Sequence, residues 1–319
     1  MKTKNKIITI CLISSATISS IAIINKVISL TSDKGILPKE NRQSYHWRFG
    51  IISYTCQGNG KPLILLHDLL PGNSDVEWKN TLDKLSNFYT VYTLDLLGFG
   101  RSDKPAITYT NYLYVQLITD FIKSVIGKRT DIIASGSSSN IAIMACCNDK
   151  SLFDRIMLVN PDPLAKTNLI PGRHSKMQKL LLDCPVIGTL LYNIMVSKLS
   201  LKKDFSSLYF ANPAYKNHDL LNSFYESAHL GGYNAKFIYS SIIGNYTNFS
   251  LSHKLGEIDN SIYIIGGAKE PFIKETLNEY QTLNPAIESS LIKESKHFPH
   301  IERPQEFLDL CQIFFPTPR

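Results

Sequence analysis

Ser137 stands in a run of residues that could present a nucleophile. Asp131-Ile132-Ile133-Ala134 reads as an apolar strand, Ser135-Gly136-Ser137-Ser138-Ser139 as a turn of small residues, and Asn140 to Cys147 as a helix. A serine on a sharp strand-to-helix turn is held in a strained backbone conformation, so the residues two before and two after it must be small. Ser135 and Ser139 fill those places around Ser137. A hydroxyl presented in this way would attack an acyl carbon. The same composition also describes a flexible surface loop, and the turn alone does not separate the two.

The elements around the turn are those of an α/β domain. Ile51 to Tyr54, Pro62 to Leu66, Thr90 to Leu94, Ile132 to Ala134, Arg155 to Val159 and Ile262 to Ile265 are short apolar strands. Trp78 to Leu85, Tyr112 to Val125 and Asn140 to Cys147 are helical between them. Alternation of this kind builds a mostly parallel sheet with helices on both faces. After Asn160-Pro161-Asp162-Pro163 about ninety residues pass before the next strand, and they read as helical, with Gly231-Gly232 as a turn or hinge. By position, residues 164–243 are a helical lid inserted between core segments 44–163 and 244–319.

The N-terminus is a separate problem. Lys2, Lys4 and Lys6 precede an uncharged run of 18 residues from Ile7 to Ile24, closed by Asn25 and Lys26. That length nearly crosses a bilayer, and the cations in front of it favour a folded domain on the outer side. Residues 1–30 are therefore expected to anchor the chain, with 31–43 as a linker. A cleaved signal, with Ser14 and Ala16 before the cut, is the rival, and the protein would then be secreted. A buried core helix is a third option, and Cys11 lies too early in the run for a lipoprotein cysteine.

Composition narrows the remaining classes. The chain has 319 residues, 44% hydrophobic and 19% charged, which suits a folded domain. Its net charge of +7 includes the basic start and a basic stretch between Lys166 and Lys203, which suits a solvated surface near an anionic membrane. No basic stripe with interleaved aromatics argues for nucleic acid. Six cysteines show no CxxC spacing and no metal-ligand cluster with histidine, and they read as small buried hydrophobes.

Four further segments accompany the serine turn. Leu65-Leu66-His67-Asp68-Leu69 ends one strand, and Asp95-Leu96-Leu97-Gly98-Phe99-Gly100-Arg101-Ser102-Asp103-Lys104-Pro105 follows another. Gly266-Gly267-Ala268-Lys269-Glu270 places a carboxylate past a third, and His297-Phe298-Pro299-His300-Ile301-Glu302-Arg303-Pro304 lies near the C-terminus. In this order the motifs resemble the α/β-hydrolase superfamily over roughly residues 44–319. Within it the chain is similar to lid-bearing esterase-type members and to membrane-tethered hydrolases of low-GC Gram-positive bacteria.

The resemblance implies an α/β-hydrolase fold and a division of labour. Ser137 would be the nucleophile, and His297 would take its proton and return it to the leaving group. Glu270 would orient the imidazole, with Asp162 as the alternative acid. The backbone N–H groups of Leu69 and Ser138 would hold the oxyanion. Asp95 would pin the glycine-rich loop, away from proton transfer.

No cofactor or metal is implied, and the substrate would be a small acyl compound. The resemblance does not specify an oligomeric state. Asp68 departs from the pattern, since relatives commonly carry glycine there. Aspartate tolerates unusual backbone angles, but its charge opposes a developing oxyanion nearby. The expected activity is that of a carboxylesterase- or lipase-like serine hydrolase acting through an acyl-enzyme. A carbon–carbon bond hydrolase, an aminopeptidase, a thioesterase or a catalytically weakened binding protein of the same fold remain as alternatives. Epoxide hydrolase and dehalogenase chemistries are disfavoured, because those relatives use a carboxylate where this chain has Ser137.

Overall fold

A computed structural model describes residues 2–212 and 218–315. Met1 and the side chains of residues 2–11, among them Lys2, Lys4, Lys6 and Cys11, lie outside the described set.

The chain begins with a long helix, α1 (Lys2–Ser32), and enters the sheet through β1 (Arg42–Trp47), β2 (Gly50–Gln57) and β3 (Lys61–Leu66). Then follow α2 (Lys79–Ser86), β4 (Tyr89–Leu94), α3 (Asn111–Phe121), β5 (Thr130–Ser135), α4 (Ser138–Asn148) and β6 (Phe153–Val159). Among the described residues six α-helices intervene before the next strand: α5 (Leu164–Thr167), α6 (Arg173–Asp183), α7 (Ile187–Met195), α8 (Lys198–Asp204), α9 (His218–His229) and α10 (Lys236–Ile243). The chain closes with β7 (Ser261–Gly267), α11 (Ile273–Leu283), β8 (Glu288–Ile292), α12 (Pro299–Glu302) and α13 (Pro304–Phe314).

The strands form one sheet in the order β1-β2-β4-β3-β5-β6-β7-β8. The contacts β1–β2 and β2–β4 are antiparallel, and every pairing from β4 onward is parallel. Sequence patterning missed β1 and β8. Both are edge strands with mixed exposure, so neither carries the continuous apolar run of a strand buried on both faces.

Alternate residues of the central strands feed two cores. Ile64, Leu66, Ile132, Ala134, Ile156 and Leu158 point to one face, against Leu117, Ile118 and Ile141 from α3 and α4. Leu63, Leu65, Ile133, Met157 and Val159 point to the other, against Leu85 of α2 and Phe307 and Leu308 of α13. With both faces covered, the parallel strands are pinned in register, and their carboxyl ends lie along one rim.

The apolar part of α1, Leu12–Ser32, is 21 residues long with mean hydropathy 1.5 and is only 6% buried, so it is not a core helix. Its far end is tied to the lid. Asn25 donates to the carbonyl of Val186 (2.9 Å) and accepts from Asn193 (3.0 Å). The connection to β1 is shorter than residues 31–43, since α1 runs to Ser32 and β1 starts at Arg42. Within it, the N–H groups of Lys34, Ile36 and Leu37 donate to the buried carboxylate of Glu226 on α9. Gly231 and Gly232 follow α9 with φ of 85° and 61°, angles that favour glycine and turn the chain into α10. The five described cysteines are free.

Candidate active site

The turn after β5 is built differently from the sequence expectation. The positive φ falls on Gly136 (53°), whereas Ser137 sits at φ −64°, ψ −20°, already helical at the start of α4. The apex of the turn is therefore glycine, and Ser137 is the residue after it. The small residues two before and two after the apex are then Ala134 and Ser138, not Ser135 and Ser139. Glycine takes this conformation without strain, and Ser137, with helical angles, carries none.

The space that a side chain at the apex would occupy is filled. A Cβ built on Gly136 would fall 2.1 Å from Cγ of Asp68. Asp68 follows β3, which pairs with β5, and its buried side chain reaches across the strand ends. Oδ1 accepts from the backbone N–H of Leu69 (2.6 Å) and from that of Ser137 (2.8 Å). Oδ2 lies 2.7 Å from Nε2 of His297.

The converging amides are thus those of Leu69 and Ser137. The sequence expectation named Leu69 and Ser138, and moving the apex back to Gly136 moves the second donor from Ser138 to Ser137. The Ser138 hydroxyl instead donates to the carbonyl of His67 (2.5 Å). Asp68 itself is not among the residues with positive φ, so backbone tolerance is not what places it there.

His297 follows β8 and is held on both sides. Its Nδ1 is 3.4 Å from Oε1 of Glu270, which follows β7, and its backbone N–H donates to the carbonyl of Tyr209 from the lid segment (3.1 Å). Burial opposes a charge on the imidazole. The hydrogen bonds and charges of Asp68 and Glu270 outweigh it, and the His297 pKa is pushed up to about 10. Conversely, burial would raise the Asp68 pKa, but His297, Lys166 and the Ser137 amide bring it below its ordinary value.

Ser137 and His297 share no hydrogen bond among the described residues. The Ser137 hydroxyl donates to Oδ2 of Asp162 (2.6 Å), whose Oδ1 accepts from Lys166 (2.7 Å), and the Lys166 ammonium is also 3.4 Å from Ser137 Oγ. Burial works against the Lys166 charge, but Asp162, Asp68 and Glu270 raise its pKa. Of the two candidate acids, Glu270 lies on the imidazole and Asp162 on the serine.

Three supporting residues stand in the quoted segments but had no role assigned from the sequence. Asn160 takes φ 44° at the end of β6. Its Nδ2 donates to the carbonyls of Lys296 and His297 (2.7 and 2.8 Å), and its Oδ1 accepts from Gly267 N–H (2.9 Å). It therefore clamps the histidine loop to the strand that leads to Glu270. An Asn-Pro pair at a strand end was the available signal, since asparagine tolerates the left-handed region. Glu302 accepts from the N–H groups of Lys296 (2.7 Å) and Ala211 (2.8 Å), joining the same loop to the lid. Phe298 packs with Phe205, Phe210 and Phe224 of the lid, fixing the neighbour of His297 in an aromatic cluster.

Comparisons with known proteins agree with this architecture. A family model described as "Alpha/beta hydrolase family" matches residues 63–310. An uncharacterised Mycobacterium tuberculosis protein is 27% identical over 114 residues, 36% of this chain and 33% of its own length. The chain thus matches about a third of the length of that relative. Among solved structures, a serine hydrolase involved in carbazole degradation superposes with a TM-score of 0.71 at 18% identity, covering 86% of this chain and 97% of its own. A bacterial membrane phospholipase A superposes with a TM-score of 0.68 at 17% identity, covering 98% of each chain. With a sheet of this order, a lid between β6 and β7 and a family match over most of its length, the chain belongs to the alpha/beta hydrolase family.

Proposed function

We propose that this chain is a membrane-tethered hydrolase whose reacting groups are His297, Glu270 and Asp68, served by the amides of Leu69 and Ser137. One observation carries this reading: an imidazole held between two carboxylates, beside two N–H groups that converge on a single oxygen. The imidazole moves protons, Glu270 fixes its orientation and tautomer, and the amide pair stabilises negative charge on an oxygen between them. The apolar, exposed stretch of α1 acts as the anchor, and the substrate is a small molecule that enters under the lid.

The test is hydrolysis by the full chain in detergent, on p-nitrophenyl esters of graded chain length and on styrene oxide. His297→Gln should lower the rate by about 10²- to 10⁴-fold, and Glu270→Gln should also lower it. Native rates in both variants would refute the assignment. For the anchor, a carbonate wash that frees the intact chain from membranes would refute a spanning helix.

A second reading keeps Ser137 as nucleophile of an acyl-enzyme on an ester. The observation in its favour is the partly exposed hydroxyl, hydrogen-bonded to Asp162 with Lys166 beside it. A fluorophosphonate probe that labels Ser137 would favour it.

A further inference from the structure

We propose that Asp68 is the nucleophile of this hydrolase, and that its substrate is an alkyl electrophile of the epoxide class, opened through a covalent ester on Asp68. The inference rests on the function proposed above and assigns its attacking atom and substrate chemistry.

The geometry has three parts. The apex of the turn carries no side chain, and the Asp68 carboxylate occupies the space that one would fill, its Cγ 2.1 Å from the position of a Gly136 Cβ. One carboxylate oxygen, Oδ1, is committed to the amides of Leu69 and Ser137. The other, Oδ2, is free of backbone donors and faces His297. The same amides cannot also receive an oxyanion from an ester attacked elsewhere while Oδ1 is seated between them.

This pairing selects the electrophile. A carboxylate that attacks an acyl carbon gives an anhydride, which is less stable than the ester it consumed. A carboxylate that attacks a saturated carbon gives an ordinary ester, whose carbonyl oxygen is then Oδ1, already in place between two N–H donors for the next step. An epoxide supplies a saturated carbon made reactive by ring strain.

The steps balance. Oδ2 attacks an epoxide carbon as that carbon–oxygen bond breaks, and the released oxygen takes the Nε2 proton of His297. The products are a hydroxyalkyl ester and a neutral imidazole. Water then gives a proton to His297 as it attacks Cγ, placing the oxyanion on Oδ1. Collapse expels the alcohol oxygen, which takes the proton back from His297. Asp68 is left as the acid, and passing its proton to His297 restores the starting ion pair. The sum is epoxide plus water to diol.

The charge state of the resting site suits both roles of the histidine. With Asp68 and Glu270 beside it, His297 rests as the cation that the first step needs. Alkylation removes the Asp68 anion and with it much of what holds the proton, so the imidazole becomes a base when water must be activated. The Asp68 side chain is only 2% exposed, and the partly exposed Ser137 and half-exposed Lys166 mark the side from which substrate enters.

The test uses the full chain with styrene oxide in heavy-oxygen water, with enzyme in excess over substrate. The expected result is heavy oxygen in the Asp68 carboxylate, read by mass spectrometry of its peptide, and none in the diol of the first turnover. Asp68→Asn should lose at least about 10³-fold in rate while still folding and unfolding in one cooperative transition, at a somewhat lower midpoint because its pairing with His297 is lost. His297→Gln should accumulate a hydroxylamine-labile adduct on the Asp68 peptide, formed slowly and not hydrolysed.

Heavy oxygen in the product alone, an adduct on Ser137, or no turnover by folded native protein would overturn the inference. So would an Asp68→Gly variant that gains esterase activity, because Asp68 would then obstruct the site and not attack. None of these outcomes removes the assignment of His297 and Glu270, which fails only if their variants keep the native rate.

Discussion

Two buried aspartates follow neighbouring parallel strands, Asp68 after β3 and Asp95 after β4, and they are seated in similar ways. Each rests where a glycine with positive φ leaves room. A Cβ on Gly136 would meet the Asp68 carboxyl carbon at 2.1 Å, and one on Gly100 would meet that of Asp95 at 2.3 Å. Each also accepts two backbone N–H groups, Leu69 and Ser137 for Asp68, Asp75 and Arg101 for Asp95.

They differ in their counter-ions. Asp95 is paired with the guanidinium groups of Arg101 (2.8 Å) and Arg42 (3.2 Å), which also reach Asp75. Burial alone would raise its pKa, but these cations and the N–H donors hold it well below the usual carboxylate range. Arginine does not release a proton in a protein, so the Asp95 network is fixed in charge and serves to pin the glycine-rich loop. Asp68 faces an imidazole instead. The same seat with a partner that titrates becomes a place where protons and bonds can move.

The largest expected effect separates the two networks by stability. Asp95→Ala should cost about 3–5 kcal/mol in urea unfolding, because two largely buried guanidinium groups lose one of the two carboxylates they share and are left with Asp75 alone. Asp68→Ala should cost clearly less, since His297 can shed its proton. Equal losses would break the comparison.

A smaller effect is expected at the glycines. Gly136→Ala should lower stability by about 1–2 kcal/mol for the left-handed backbone alone, with more from collision with Asp68, and should abolish turnover. Gly100→Ala should be comparably destabilising through Asp95. A Gly136→Ala protein with native stability and native rate would show that Asp68 does not need that seat.

A third difference is in pH. His297 has a folded pKa of about 10 against an ordinary 6.5. A raised pKa in the folded state means that the folded state holds the proton more tightly. Its stabilisation is therefore complete below pH 6.5 and is lost as pH rises through about 10. Lys104, whose pKa burial lowers to about 8, contributes the opposite trend in the native chain and in Asp68→Asn alike, so it is the difference between their urea midpoints that should shrink across that window. The Asp95 pairs should contribute nothing there.

The smallest effect is expected for Ser137→Ala, which keeps the backbone N–H at Asp68 and removes only the hydroxyl. Turnover of styrene oxide should stay within about threefold, since only one part-buried hydrogen bond, to Asp162, is lost. A loss of several hundredfold would restore Ser137 as the nucleophile.

Much of this site was legible in the chain itself. The apolar runs of β3 to β7 and the long helical interval between β6 and β7 gave the family architecture, because strands buried on both faces must be continuously apolar. The motifs around His67, Gly98, Glu270 and His297 marked the strand ends that form the rim of the candidate site. Edge strands β1 and β8 were not legible, since half-exposed strands lack that signal. Asn160 was legible only as an Asn-Pro turn at a strand end, since its role lies in three backbone contacts that no spacing encodes.

Sequence alone, then, determined the fold, the rim of strand ends and the presence of His297 and Glu270 on it. Tertiary structure decided which residue stands at the apex of the turn and what fills the space above it. Five small residues in a row leave the register of the turn open by one position, and local composition cannot close it. The register is settled by the pairing of β5 with β3 and β6 and by the Asp68 carboxylate, which comes from a different strand and leaves room at the apex for glycine alone.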